Sequence, residues 1–323
     1  MQPTPRHYLD FEKPVLELAA RVAELKASLA EGTPAAEKHL AQEIARLEIR
    51  QARVNRLLYR TLTPYQKVQV ARHPQRPQGP DYIAALMTDF VPLEGDRRFG
   101  ADAALVGGIG RWCDGTACVV LATDKGKDTA SRVAKNFGMP KPEGYRKAQR
   151  LMQLAGRLGL PVVTLVDTPG AYPGIDAEER GQAEAIAGCL EVLMQLPTPV
   201  VSIITGEGGS GGALALAAAD HVQLLEHSVY SVISPEGCAA ILWKEATKET
   251  IPQAAEALKL TAQDLQALKL IDGIIPEPPG GAHANPGLTI RRVGEAVTAA
   301  LAATRGPAAG LAAARRQRFL ALT

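Results

Sequence analysis

A chain of 323 residues, of which 46% are hydrophobic and only 4% aromatic, is long enough to bury a sizeable core. This composition is typical of an α/β or α-rich protein whose core is filled with small aliphatic side chains. The formal net charge of +2 is too balanced to predict a nucleic-acid partner or binding to an anionic membrane surface.

Two further kinds of protein are excluded at this stage. No stretch reaches the roughly 18 apolar residues that a membrane-spanning helix needs, and the first residues lack the pattern of a signal peptide. The four cysteines, Cys113, Cys118, Cys189 and Cys238, show no CxxC spacing, which argues against a disulfide framework and a zinc ribbon. We therefore expect a cytoplasmic protein with no metal of its own, in which each cysteine is a small core residue.

Residues 1–62 predict an N-terminal helical hairpin. Apolar side chains recur at steps of three and four in residues 11–32 and again in residues 35–62, which indicates two helices with one narrow apolar side each. Gly32, Thr33 and Pro34 separate them, since a glycine followed by a proline ends a helix. The hairpin is interpreted either as a lid packed on the main domain or as an arm that grips a partner subunit.

Residues 63–285 form the predicted main domain. A short helix follows the Thr63–Pro64 cap, and a proline-rich polar link, residues 72–77, follows that helix. From about residue 91, Val- and Ile-rich runs alternate with helical patterns. Runs that do not alternate with polar residues indicate strands buried on both faces, hence a layered α/β domain. The predicted strands are 104–112, 117–124, 161–168, 199–206, 221–227, 229–234 and 270–276. The predicted helices are 142–158, 178–196, 210–219, 235–246, 251–268 and 288–304.

Residues 286–323 complete the chain with predicted helices. The last of them is basic, because residues 305–322 contain four arginines and no acidic residue. We interpret this C-terminal part as an interface rather than as a catalytic segment.

Two neighbouring segments of the main domain share one plan of strand, glycine-containing turn and helix. Strand 161–168 runs into the turn DTPGAYPG (167–174), and strand 199–206 runs into GEGGSGG (206–212). Adjacent strands that each lead into a helix start place unpaired backbone N–H groups at one edge of the sheet. Such an edge predicts a site for a negatively charged group.

The turn GEGGSGG matches the residue patterns of two familiar motifs, but its surroundings in the sequence fit neither. Gly206, Gly208 and Gly211 fit the GxGxxG dinucleotide fingerprint, but the following helix is short and the motif lies two-thirds along the chain. Ser210 between Gly208 and Gly212 fits the GxSxG elbow of hydrolases, but no histidine and aspartate partners are evident in sequence. Both interpretations are disfavoured.

A third interpretation of the same turn requires no reactive side chain. Glycines admit a ligand close to the backbone, and a helix that starts near Ser210 presents N–H groups to an oxyanion. A P-loop nucleotidase is disfavoured because the pattern GxxxxGK[ST] does not occur. The turn therefore predicts backbone binding of a developing negative charge.

Several longer strings resemble one known family. They are ARHPQRP (71–77), NFGMPKPEGYRKAQRLMQLA (136–155), DTPGAYPG (167–174), EERGQAEAIA (178–187), GEGGSGGALAL (206–216), YSVISPEGCAAILWK (230–244) and LKLIDGIIPEPPGGAH (268–283). In content and order they are similar to the carboxyltransferase alpha subunits of bacterial acetyl-CoA carboxylase. The resemblance covers nearly the whole chain and is weakest in residues 25–62, in residues 123–135 and after residue 285.

This resemblance implies a fold, a reaction and partners. The implied fold is the α/β crotonase (ClpP-like) fold of repeated ββα units, flanked by the N-terminal hairpin and the C-terminal helices. The implied reaction moves a carboxyl group from carboxybiotin, held by the biotin carboxyl carrier protein, to acetyl-CoA, giving malonyl-CoA for fatty acid synthesis. The implied complex contains two alpha and two beta subunits, with zinc on the beta subunit only, and joins biotin carboxylase in the full enzyme.

The resemblance also implies which residues bind. Gly211 and Gly212 would form the oxyanion hole for biotin through their backbone N–H groups, with Gly170 and Ala171 as secondary donors or pocket walls. The implied carboxybiotin pocket consists of Gly206, Gly208, Gly209, Ser210, Ser234, Pro235, Glu236 and Gly237. Two other functions stay open: a stand-alone crotonase-like hydrolase or isomerase of acyl-CoA thioesters, and a non-catalytic scaffold for the beta subunit.

Overall fold

A computed structural model of the chain describes residues 7–30, 34–304 and 308–322. Its strands are β1 (Met87–Pro92), β2 (Leu105–Trp112), β3 (Ala117–Thr123), β4 (Val162–Thr168), β5 (Val200–Gly209), β6 (His221–Leu225), β7 (Val229–Ser231) and β8 (Gly273–Ile275). Its α-helices are α1 (Lys13–Ala30), α2 (Pro34–Arg60), α3 (Pro64–Ala71), α4 (Gly79–Leu86), α5 (Thr129–Ala134), α6 (Pro142–Leu158), α7 (Ile175–Glu179), α8 (Gln182–Gln195), α9 (Ser210–Ala217), α10 (Pro235–Leu242), α11 (Thr250–Ala257), α12 (Ala262–Ala267), α13 (Pro286–Ala303) and α14 (Ala308–Leu320).

All eight of these strands belong to one mixed sheet. The strand order is β1-β2-β3-β4-β5-β6-β8, and β7 pairs with the far end of β5. β1, β2 and β3 are antiparallel neighbours, whereas the pairs from β3 onward are parallel. The parallel strands are joined by helices, as parallel pairing requires. Their carboxyl ends consequently meet at one edge of the sheet.

The core lies on both faces of this sheet. On one face α6, α8 and α9 pack through Leu151, Leu193 and Leu216. On the other face α4 and α13 pack through Ile83 and Val297. All seven residues of β4 are buried, which explains why apolar and polar residues do not alternate along it.

The two helices predicted within residues 11–32 and 35–62 correspond to α1 and α2. Val22 and Leu25 of α1 pack against Ile44 of α2. The hairpin is also tied to the chain before it, because the Tyr59 hydroxyl donates to Glu12 Oε1 at 3.0 Å. The predicted break at Gly32 and Thr33 lies outside the described residues. No helix of the described ranges is long and apolar enough to cross a membrane.

The cysteine prediction was right for three residues and wrong for one. Cys118, Cys189 and Cys238 are buried, but Cys113 is exposed. The reason is its place between Trp112, the last residue of β2, and the turn at Gly115, where the chain leaves the sheet. Strand periodicity no longer determines burial at that point.

Candidate functional site

Two turns meet at the carboxyl ends of β4 and β5. The two strands pair in parallel, with Val166 beside Ile204 and Thr168 beside Gly208, so the turn that follows β4 lies next to the start of α9. Together they form one wall of a cleft of about 460 Å³. The predicted site residues that line this cleft are Gly170, Ala171, Ser210, Gly211, Gly212 and Ser234.

Other predicted residues lie around the cleft. Gly208, Gly209 and Pro235 line a small adjoining recess of about 30 Å³, which Ser234 shares. Glu236 and Gly237 open helix α10, where the Gly237 N–H donates to Ser234 Oγ at 3.1 Å. This bond is an N-terminal cap, so it accounts for the serine–proline–glutamate–glycine pattern by helix geometry.

Gly206 is the predicted pocket residue that lies behind the cleft. It belongs to neither lining, and a Cβ atom on it would collide with the Asp167 carboxylate. Its lack of a side chain makes room for that carboxylate.

The helix start supplies backbone donors to the cleft. Gly211 and Gly212 are the second and third residues of α9, so their N–H groups have no acceptor one turn earlier in the helix. Gly209, the N-cap residue, offers no side-chain cap. Ser210 turns the chain sharply from strand to helix with a φ of 53°, a left-handed conformation that strains a non-glycine residue. These features present the positive end of the helix dipole to the cleft.

In the neighbouring turn, the Ala171 amide lies beside α9, whereas the Gly170 amide is engaged in a hydrogen bond within the turn. The Gly170 N–H donates to Thr168 Oγ1 at 3.1 Å, so Gly170 lines the cleft with an engaged amide. The Ala171 nitrogen lies 2.5 Å from the position that a Cβ atom on Gly212 would take. The Ala171 and Gly212 backbones are therefore in direct contact, and their amides belong to one small area.

The glycines of the turn are required for different reasons. A Cβ atom on Gly209 would collide with the Pro169 carbonyl, and one on Gly212 with the backbone of residues 170–171. A Cβ atom on Gly211 would meet only Ile186, at 3.6 Å and beyond, which is ordinary van der Waals contact. Gly209 and Gly212 thus permit the two turns to pack, whereas Gly211 keeps the cleft open.

A buried ion network joins the ends of three strands beneath the site. Lys125, which follows β3, donates through Nζ to Asp167 Oδ1 at 2.6 Å and to Glu207 Oε2 at 2.7 Å. Arg72, which follows α3, donates through Nε to Glu207 Oε1 and through one terminal nitrogen to Glu236 Oε1, both at 2.6 Å. Sequence reasoning did not place Arg72, Lys125 or Glu207 in the site. Arg72 and Lys125 follow the ends of α3 and β3, which was the available hint for these two, whereas Glu207 lies within β5.

Both cations of this network are paired with carboxylates within it. Burial by itself would raise the pKa of Glu207, but Lys125 and Arg72 hold that pKa down at about 2. The pKa of Glu236 is likewise lowered by Arg72 against the effect of burial. Both carboxylates are therefore ionised at neutral pH and neutralise the Arg72 guanidinium, although Arg72 lines the cleft.

The chemistry that the cleft offers is charge stabilisation by backbone amides. Neither a histidine nor a carboxylate is among the described residues that line it, so the Ser210 hydroxyl has no general base beside it. This geometry argues against the hydrolase elbow. In residues 7–30, 34–304 and 308–322, no group of three or more His, Cys, Asp or Glu side chains is placed to hold a metal ion.

Comparison with known proteins gives the family. The family model described as acetyl co-enzyme A carboxylase carboxyltransferase-like matches residues 8–323. The acetyl-coenzyme A carboxylase carboxyl transferase subunit alpha of Gluconacetobacter diazotrophicus is 55% identical over 319 residues, covering 98% of each chain. The subunit of the same name from Paracoccus denitrificans is 54% identical over 316 residues and also covers 98% of each chain.

Solved structures share the fold at low sequence identity. A crystal structure of transcarboxylase 12S, with methylmalonyl-coenzyme A and methylmalonic acid bound, is similar with a TM-score of 0.57 and 21% identity over 72% of this chain and 42% of that one. The malonate decarboxylase heterodimer of Pseudomonas is similar with a TM-score of 0.54 and 19% identity over 69% of this chain and 92% of that one. These similarities confirm the predicted α/β crotonase-type fold. Through the family model and relatives more than half identical over nearly its full length, the chain belongs to the family of acetyl-CoA carboxylase carboxyltransferase alpha subunits.

Proposed function

We propose that the cleft between the 169–174 turn and α9 receives carboxybiotin from the biotin carboxyl carrier protein, and that the chain thereby serves carboxyl transfer to acetyl-CoA. The observation that carries this proposal is a cleft lined by the start of an uncapped helix, with no histidine or carboxylate among the described residues of its wall. Family membership supports the same reaction. A hydrolase of thioesters would need a reactive side chain in this place.

The lining fits a flat, uncharged ring system. Met139, Ile186 and Ile233 provide apolar walls, and Gly211 leaves open the space that a side chain would fill. Among the described residues, the single cation in the wall is Arg72, and it is already paired with Glu207 and Glu236. An anionic ligand would thus be bound by backbone amides rather than by a free positive side chain.

Carboxybiotin would supply the carboxyl group that is transferred. The Gly211 and Gly212 N–H groups would donate hydrogen bonds to the oxygen on which negative charge builds as that group leaves, with the Ala171 N–H on the opposite turn as a third donor. Loss of one such donor typically raises the barrier by about 2.7–4 kcal/mol. Since no general base lines the cleft in the described part of the chain, the role of this subunit is to position the ligand and to stabilise charge.

We further propose that a beta subunit completes the site in an α2β2 complex, that it carries the zinc and the acetyl-CoA pocket, and that biotin carboxylase recharges the carrier. Exposed apolar side chains in the cleft wall and on α10, the helix that follows it, support a covering partner. Val232 lines the cleft with 76% of its surface exposed, and Ile241 near the end of α10 is 70% exposed. A partner would remove both from water.

The test uses the complex of this chain with its beta subunit and measures malonyl-CoA formed from acetyl-CoA and carboxylated carrier protein. Gly211→Val adds bulk to the cleft without a backbone collision, and we expect it to lower the rate by about 100-fold or more, the size expected for losing a donor or misplacing the ligand. Gly287→Val is the matched control, because Gly287 is also the second residue of a helix and a Cβ atom there meets only Asn285, at 3.9 Å. It should leave the rate unchanged.

The outcomes separate the proposed function from its alternatives. Normal turnover by Gly211→Val would contradict the assignment of the cleft. Thioester hydrolysis without carrier or beta subunit would favour the stand-alone enzyme. A complex that assembles but forms no malonyl-CoA would favour the non-catalytic scaffold.

A further inference from the structure

The hydroxyl of Tyr145 is buried without a hydrogen-bond partner. Tyr145 belongs to α6, its side chain is fully buried, and its oxygen forms no hydrogen bond with any described residue. Most buried side-chain polar atoms in proteins do have a partner, because an unpaired one loses its bond to water on folding. A buried tyrosine that could be phenylalanine without loss in the resting structure requires an explanation.

The position of the Tyr145 hydroxyl provides an explanation. Its oxygen lies 2.7 Å from the point that a Cβ atom on Gly212 would take, and the same point is 2.5 Å from the Ala171 nitrogen and 2.6 Å from the Gly170 carbonyl carbon. The hydroxyl, the helix start and the neighbouring turn therefore converge directly beneath the proposed oxyanion hole.

An acceptor for the hydroxyl is present in that turn. The Gly170 carbonyl accepts one hydrogen bond, from Thr168 Oγ1 at 2.7 Å, and a carbonyl oxygen can accept a second. Burial raises the pKa of Tyr145 well above its usual value, so the phenol stays protonated and can donate throughout the neutral range.

We propose that Tyr145 is a positioning residue for carboxyl transfer. As the carboxyl group leaves and charge develops in the cleft, its hydroxyl donates to the Gly170 carbonyl and fixes the turn so that the Ala171 N–H points with those of Gly211 and Gly212 at the oxygen that becomes negative. The hydroxyl is left unpaired in the resting protein and gains its partner as charge develops, so its stabilising effect falls on the reaction rather than on the fold. This inference rests on the proposed function and adds a residue that lies outside the cleft lining.

The experiment compares two tyrosines that are both fully buried with an unpaired hydroxyl but lie in different parts of the fold. Tyr82 of α4 is also fully buried with an unpaired hydroxyl, but it lies in the core on the opposite face of the sheet. Tyr145→Phe and Tyr82→Phe are each assembled with the beta subunit, and kcat, KM for carboxylated carrier protein and the melting temperature are measured. We expect both variants to melt at or above the wild-type temperature. Only Tyr145→Phe should lower kcat, by about tenfold, with KM unchanged.

Other results would overturn either the proposed function or the role of the Tyr145 hydroxyl. A wild-type complex without malonyl-CoA formation overturns the proposed function itself. An active wild type with an equally active Tyr145→Phe overturns the role of the hydroxyl. A lower melting temperature in Tyr145→Phe, or a higher KM at constant kcat, also overturns it, because the hydroxyl would then stabilise the resting fold or the bound ligand.

Discussion

The carboxylate of Asp167 occupies the space that a side chain on Gly206 would need. Asp167 Oδ1 accepts the Glu207 N–H at 2.8 Å, and the pairing of β4 with β5 shifts register between Val166 and Thr168, on either side of the aspartate. A side-chain oxygen thus takes over a place in the strand ladder just before the glycine turn. The site is therefore shaped in part by the Asp167 carboxylate, which accepts a hydrogen bond where a backbone carbonyl would otherwise do so.

Gly206→Ala should therefore be destabilising although position 206 lies behind the cleft. The added methyl group meets a carboxylate that Lys125 and the Glu207 amide hold in place, and overpacking of this kind typically costs about 1–3 kcal/mol. Urea unfolding of the purified chain measures the change. Gly310→Ala, in helix α14 with open space around the new methyl group, should instead leave stability equal or raise it by up to about 1 kcal/mol. Equal stability of Gly206→Ala and wild type would contradict the packing argument.

Local patterns were sufficient for the elements that carry the site. The predicted helix 142–158 coincides with α6, and the predicted strand 161–168 differs from β4 by one residue. Two predicted helices are each divided in the structure. Gly181, with a φ of 80°, separates α7 from α8, and Lys259, with a φ of 50°, lies between α11 and α12. A left-handed lysine has no sequence signature, but the capping box of Thr261 and Asp264 that opens α12 is a local signal for the second division.

The elements that the sequence did not predict have physical reasons. α4 begins with Gly79 and Pro80, which normally indicate a turn, although a proline is well tolerated in the first turn of a helix. β1 is an edge strand in which only Met87 is buried, so it lacks the apolar run by which central strands are recognised. The ion network at the site joins residues 72, 125, 167, 207 and 236, and pairing across such separations leaves no periodic signal in sequence.

Stability at acid pH should depend on Glu277. This buried carboxylate is paired with Arg76 and accepts the His227 N–H at 3.1 Å. Burial would raise its pKa, but Arg76 and His227 lower it from 4.5 to about 2. Because the pKa is lower in the folded state, the stability that this group contributes is present above pH 4.5 and is lost as the pH falls towards 2.

The variant Glu277→Gln tests that dependence by urea unfolding between pH 3 and pH 7. It leaves Arg76 buried without its counter-charge, so we expect a loss of about 3–5 kcal/mol at neutral pH. Its unfolding free energy should also fall less steeply between pH 4.5 and 3 than that of the wild type. Glu17→Gln, at an exposed position on α1, is the control and should follow the wild-type curve. A wild-type pH profile in Glu277→Gln would rule out this carboxylate as the acid-sensitive group.

Arg72→Lys should impair the cleft while conserving charge. The guanidinium spans two carboxylates, Glu207 on β5 and Glu236 on α10, and a single ammonium group cannot reproduce that geometry. With α10 less firmly tied to the glycine turn, we expect kcat/KM for carboxylated carrier protein to fall by about tenfold. Arg111→Lys is the control, since Arg111 is exposed and lies 3.8 Å from an exposed Asp89, a pair that contributes little. Equal kcat/KM in both variants would show that the bridge does not shape the site.

The C-terminal helix α14 is fastened to its own subunit by Arg315. The buried guanidinium donates to the carbonyls of Leu193, Leu196 and Thr198 and to both carboxylate oxygens of Asp220. Leu193 and Leu196 lie at the end of α8, where carbonyl groups have no partner within the helix. One side chain thus caps α8, neutralises Asp220 and docks α14.

Arg315→Met should therefore release α14 as well as lower stability. Removing one partner of a buried pair typically costs about 3–5 kcal/mol, and the α8 carbonyls lose their donor at the same time. Limited proteolysis should then cut within residues 308–322 at protease concentrations that leave the wild type intact, and urea unfolding should show the lower stability. Arg316→Met provides the control, because Arg316 is exposed and donates only to the Met194 carbonyl among the described residues. If both variants resisted proteolysis equally, α14 would be held mainly by its apolar contacts. The arginines of the tail would then be free to contact a partner subunit.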